Sequence, residues 1–190
     1  MTKDPHHEDQ KDVAAAATCK LQEWLTCAQS GNTTNCAPLR LAVCCGEAGS
    51  GKTALISALV TLTCQLAGTK KSARVCGPAC SAAFNAGGLT CQKLFHVLLL
   101  SDGVNMSAAS LKSLMQKLTD TAAIIVDERS ALVSARVPGM MEQRSRQAAF
   151  NSSNCQRDWG GAPIILAIGD DCQLPSIDVM KGDFLFWKQT

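Results

Sequence analysis

Eight consecutive residues, Gly46-Glu47-Ala48-Gly49-Ser50-Gly51-Lys52-Thr53, combine the groups needed to hold a polyphosphate. A triphosphate carries several negative charges and needs many donors converging on it. Gly46, Gly49 and Gly51 allow backbone conformations that side chains forbid, so that successive N–H groups turn inward. A helix starting after the loop adds further N–H groups and the positive end of its dipole. Lys52 then reaches the β- and γ-phosphates, and the Thr53 hydroxyl ligates magnesium. The run fits G-x-x-x-x-G-K-[ST] at every fixed position. Its flanks suit it too: Leu39 to Cys45 is an apolar strand, and Lys52 to Leu66 has helical spacing.

Two further apolar runs end in paired acids: TAAIIVDE, which closes on Asp127 and Glu128, and APIILAIGDD, which closes on Asp170 and Asp171. Carboxylates at the tip of a core strand must be solvated or paired, because burying a lone one is costly. Beside a phosphate loop, Asp127 can hold magnesium through water, and Glu128 can orient and deprotonate an attacking water. Alone, IIVDE is only a strand followed by an acidic turn; the phosphate loop gives it a chemical context.

These residues need a scaffold that gathers them. Residues 1–12 are expected to form a disordered tail, and residues 13–190 one domain. Helices are predicted at Ala14 to Gln29, Ser81 to Gly88 and Ser107 to Leu118, and a further strand at Ser72 to Gly77. Apolar strands separated by helices predict an α/β fold, a parallel sheet covered by helices on both faces. In such sheets ligands collect at the carboxyl ends of the strands, where the three motifs fall.

Composition sets the outer bounds. With 190 residues and 46% hydrophobic content the chain can build one real core. A net charge of +2 argues against nucleic-acid binding by bulk charge and leaves a local basic groove open. The 11 cysteines form no CxxC pair, and His6, His7 and His96 give no zinc spacing. The cysteines are expected to be reduced fillers of small apolar positions, which implies an intracellular setting. No apolar run approaches a membrane span, and the first residues lack the apolar core of a secretory signal.

The segment GDDCQLPSI, Gly169 to Ile177, completes an ordered series with GEAGSGKT, GPACSAAFNAGGLT (Gly77 to Thr90), VDERS (Val126 to Ser130) and WGGAPIIL (Trp159 to Leu166). In that order and spacing, over roughly Leu39 to Ile177, the chain resembles superfamily-one DNA helicases of the Pif type (petite integration frequency). These include the helicase portions of Helitron-like rolling-circle transposons. The resemblance implies a RecA-like P-loop NTPase domain, the first of two motor domains of an ATP-dependent 5′-to-3′ helicase.

It implies ATP and magnesium as cofactors and single-stranded DNA as a partner. Lys52 and Thr53 would bind phosphate and magnesium, Asp127 magnesium, and Glu128 would be the catalytic base. Gln173 would sense the γ-phosphate, and Pro78, Asn85 and Thr90 would belong to the DNA surface. Gln22 is a candidate for the adenine-contacting glutamine upstream of the loop, although a lone glutamine on a polar helix face is more often just solvated. The second motor domain supplies transition-state arginines, so this chain alone is expected to bind ATP, hydrolyse it slowly and not unwind DNA. Genome maintenance, repair, recombination, telomere upkeep or transposition, in a nuclear setting, are the processes implied.

The chain departs from the family pattern at Ala79-Cys80, where Thr-Gly is usual, and at Gln92, Asp171 and Ser176, where His, Phe and Pro are usual. The ATP-site residues follow the pattern and the DNA-facing ones differ. Two alternatives therefore stay open: a nucleotide- or DNA-binding remnant without turnover, and another P-loop ATPase. Lys70, Lys71 and Arg74 before the second strand are candidates to touch a DNA backbone, although a basic turn before a strand is usually a solvated face; Arg136, Arg144 and Arg146 after the Asp127 motif are expected in solvent. Phe84 and Phe95 are candidates for base stacking or for core packing. Phe184 to Trp187 would begin a further strand.

Overall fold

A computed structural model describes residues 5–30, 36–44, 50–80, 87–97, 106–129, 132, 136–149 and 153–169. The elements are α1 (Pro5–Gln29), β1 (Leu39–Cys44), α2 (Lys52–Ala67), β2 (Ala73–Gly77), β3 (Leu89–Thr90), α3 (Cys91–Phe95), α4 (Ala108–Leu118), β4 (Ala123–Val126), α5 (Arg136–Ala148) and β5 (Ile164–Gly169). The five described strands form one sheet in the order β1-β5-β4-β2-β3, and each pairing is parallel.

β4 and β5 read AIIV and IILAIG, and every residue in them is buried, as strands covered on both faces require. Alternation divides them. Ile124, Val126 and Ile165 join Cys76 under α3, α4 and α5, while Ala123, Ile125, Ile164 and Leu166 join Val75 under α1 and α2. The expected two-sided α/β sheet is thus the observed one. Phe95 is fully buried and meets Trp159 edge-on, with ring centroids 6.5 Å apart at 75°. Its place is in the core and not against a nucleic-acid base.

Gly88 marks a close approach. A Cβ there would lie 2.2 Å from the Val75 carbonyl oxygen, so only glycine lets the chain enter β3 against β2. Ser107 caps α4, its hydroxyl accepting from the Ser110 N–H at 3.1 Å.

Two expectations are corrected. The first helix begins at Pro5, so residues 5–12 are helical where a disordered tail was expected. Proline is at home in a first helical turn, and Gln10 fastens the helix to the phosphate loop. Arg144, expected in solvent, is 4% exposed, and its guanidinium donates to Gln147 Oε1 at 2.7 Å. Arg146 stays at the surface, with Glu142 at 3.6 Å. The proposed helix at 81–88 falls largely outside the described residues, as do Phe84 and residues 184–187. No described helix is long and apolar enough to cross a membrane.

Candidate functional site

Because all strands run parallel, their carboxyl ends share one edge, and the site is built there. Gly51 ends the phosphate loop with φ 85 and ψ 15, a left-handed conformation that suits glycine, and Lys52 opens α2. The first full turn closes with the Leu55 N–H on the Gly51 carbonyl at 3.0 Å. The N–H groups of a first helical turn have no acceptor one turn earlier within the helix, which is why such a turn suits an anion. Lys52 is half-buried and Thr53 exposed. Residues 46–49 of the loop lie outside the described residues; Ser50 to Thr53 lie within them.

Asp127 follows β4 directly and extends its ladder, donating its N–H to the Cys76 carbonyl at 2.8 Å. The residue is only 8% exposed, and its Oδ1 accepts from the Glu128 N–H at 2.9 Å. Burial pushes the carboxyl above the ordinary aspartate value, opposed by that N–H and by the charge of Lys52. The charge of Lys52 thus reaches Asp127, although the two are distant in sequence. Glu128 is half-buried at φ 50, left-handed without being glycine, so the backbone turns sharply just where the strand delivers its second acid. Beneath, the Cys76 thiol is fully buried and hydrogen-bonded to Cys91, which pushes it well up and keeps it protonated.

The donor set suits a hard cation. The Asp127 carboxylate and the Thr53 hydroxyl could each offer an oxygen donor, and no cluster of three or more His, Cys, Asp or Glu exists among the described residues. An ion held here would take its other ligands from phosphate and water, as magnesium does.

The structure adds a residue that the sequence reading missed. Gln10, on the first turns of α1, donates Nε2 to the Ser50 carbonyl at 2.5 Å. Gln22, the sequence candidate, is exposed farther along α1 and offers its backbone carbonyl to Thr26 Oγ1 at 2.9 Å. The glutamine at the loop is Gln10. A proline opening a helical segment at Pro5 was the available signal.

On the same edge, Gly77 and Thr90 are register partners of β2 and β3, which sets Pro78 beside Thr90. The Thr90 hydroxyl accepts from the Lys93 N–H at 3.2 Å and so caps α3. Asn85 and Gln173 lie outside the described residues.

Comparison with known proteins agrees with this geometry. The profile of the AAA domain family matches residues 30–178. The ATP-dependent DNA helicase Pif1 of Campylobacter jejuni is 31% identical over 149 residues, which is 74% of this chain and 30% of that protein. Unliganded Pif1 from Bacteroides sp superposes with a TM-score of 0.53 at 25% identity, over 83% of this chain and 32% of that one. Bacteroides Pif1 in complex with ADP-AlF3 and ssDNA gives 0.52 at 25% identity, over 74% of this chain and 30% of that one. The chain spans about a third of the length of these relatives. It belongs to the AAA domain family, as a motor domain of the Pif-type superfamily-one helicases.

Proposed function

We propose that the chain is the ATP-binding and hydrolysing motor domain of a Pif-type 5′-to-3′ DNA helicase. The observation that carries this reading is the placing of Lys52, at the head of α2 after the left-handed Gly51, within electrostatic reach of the buried Asp127 at the tip of β4. The loop N–H groups and Lys52 hold the phosphates. Thr53 and Asp127 would hold magnesium, which would supply positive charge against that developing on the transferred phosphoryl group. Glu128, turned out of the strand direction, orients the attacking water and takes its proton. Gln10 steadies the loop beside the base-binding end of the nucleotide. Gln173 reports the γ-phosphate.

Single-stranded DNA is proposed to cross the edge formed by Pro78 and Thr90, and Asn85 is proposed as a further contact by the family resemblance. The Bacteroides Pif1 structure in complex with ADP-AlF3 and ssDNA supports pairing these two ligands on a helicase that contains such a domain. A second motor domain would close the cleft and contribute an arginine, a term worth ~10³–10⁵ in rate. Roles in repair, recombination or telomere maintenance, in a nuclear compartment, belong to the same proposal.

The test is magnesium-ATP binding to the chain and to Lys52→Ala, with and without single-stranded DNA. Binding that is lost in the variant and tightened by DNA is expected. A folded protein that binds no nucleotide would overturn the proposal. Binding indifferent to DNA would favour a nucleotide-binding remnant.

A further inference from the structure

The flank built by α3, α4 and the start of β2 gathers cations. Lys117 Nζ, near the end of α4, donates to the Lys93 carbonyl at 3.3 Å and lies 3.3 Å from His96 Nε2. Arg74 Nε donates to the Lys117 carbonyl at 2.9 Å, which also accepts from Thr121 Oγ1 at 3.2 Å. Lys93 is exposed, while Arg74, His96 and Lys117 are half-buried. Lys70 and Lys71 are exposed in the turn that leads into β2. Burial holds Lys117 below its ordinary value, helped by the charges of Lys93 and Arg74. Burial does the same to His96, helped by Lys117 and Arg144. Asp120 is the carboxylate whose charge reaches Arg74.

Part of this arrangement is structural. Arg74 and Lys117 satisfy carbonyls at the carboxyl ends of α4 and α3. A neutral donor would do that without mutual repulsion, and the bonds leave charge over. The terminal nitrogens of Arg74, one proton of the Lys117 ammonium and the whole Lys93 ammonium are not used by them.

We propose that this cluster binds the phosphodiester backbone of DNA as a second contact beyond Thr90; this rests on the motor-domain reading above. α3 starts at Thr90 and ends at Phe95. At ~1.5 Å per helical residue, Lys93 and His96 lie within ~10 Å along the helix from the edge, a reach of only a few nucleotides. A strand that leaves the edge at Thr90 and turns down along α3 would meet Lys93 first, and then Lys117 and Arg74 nearer the amino end of β2. No described aromatic side chain belongs to the cluster, Phe95 being buried, so the contact reads phosphate and not sequence.

The experiment follows the anisotropy of a labelled mixed-sequence single-stranded oligonucleotide on the full chain through a salt titration. The proteins are the wild type, Lys93→Glu, the double variant Lys93→Gln/Lys117→Gln, and Thr90→Ala. Lys93→Glu keeps both helix caps, because Lys93 contributes only its backbone to them. The salt slope is expected to fall by ~1 for Lys93→Glu and by ~1–2 for the double variant, with magnesium-ATP affinity unchanged. Wild-type slope and affinity in Lys93→Glu overturn the proposal. If Thr90→Ala alone weakens binding, only the second contact falls; if the wild type binds no DNA, the motor-domain reading of this edge falls with it.

Discussion

Replacing Gly88 with alanine tests the structure where it is least forgiving. The new Cβ would sit 2.2 Å from the Val75 carbonyl oxygen, 2.7 Å from the carbonyl carbon and 2.9 Å from Val75 Cβ. Carbon and oxygen approach to only ~3.3 Å even in weak hydrogen bonds, so β3 must move by ~1 Å. The obstacle is the backbone of a buried strand and cannot rotate aside. Overpacking of this kind costs ~1–3 kcal/mol, and the rigid neighbour places Gly88→Ala at the upper end. Gly87 is the internal control. It adopts φ 69 with nothing within 4 Å of the added carbon, so alanine there meets only the left-handed penalty, ~1–2 kcal/mol.

Urea unfolding of the two variants reads the difference directly. Because β3 delivers Thr90 to the edge and Gly77 pairs with Thr90, Gly88→Ala should also weaken single-stranded DNA binding, while Gly87→Ala should keep it. A Gly88→Ala protein that loses less stability than Gly87→Ala and binds DNA normally would refute the reasoning.

Asp127 and Gln10 give two further tests. Burial holds the folded-state pKa of Asp127 above its unfolded value, so the stability it confers is present at low pH and lost as pH rises through the folded value. Asp127→Asn should therefore melt above the wild type near pH ~7, with the gap closing towards pH ~4, the ordinary carboxylate range, and should lose magnesium-dependent hydrolysis. A variant less stable than wild type near neutrality contradicts the burial argument. Gln10→Ala removes one hydrogen bond to the phosphate loop, worth ~1 kcal/mol or ~5-fold in magnesium-ATP affinity. Gln22→Ala should leave affinity unchanged, and equal effects of the two would show that the Gln10 contact does not matter to the nucleotide.

What the sequence made legible was the part written in continuous apolar runs. AIIV and IILAIG have to be strands buried on both faces, and acids or glycines at their ends have to lie at the sheet edge. What it hid depended on tertiary contact. The polar run from Pro5 to Asp12 gives no apolar stripe of its own. It belongs to a helix that docks farther along, through Ala17 and Leu21 with Val13 and Ala14, onto the α2 side of the core. Arg144 and Arg146 sit two residues apart on α5, and only the packing of that helix shows that Arg144 turns inward. β3 is too short to show a period, and its presence follows from the space that Gly88 leaves beside Val75. Phe95 was undecidable between stacking and packing until Trp159 was placed against it.

The strand order also fixes how this domain can be made. β5 lies between β1 and β4, yet of the described strands it is the last in sequence. During synthesis β1 therefore emerges long before its partner, and β4, β2 and β3 can assemble only one half of the sheet. Joining the halves means closing a loop that spans most of the chain, the costly, slow kind of contact. Until β5 inserts, two strands expose unpaired edges open to pairing with other chains. The phosphate loop hangs from the half that waits, so nucleotide can lend its binding energy only to the last step of assembly and not to the earlier ones.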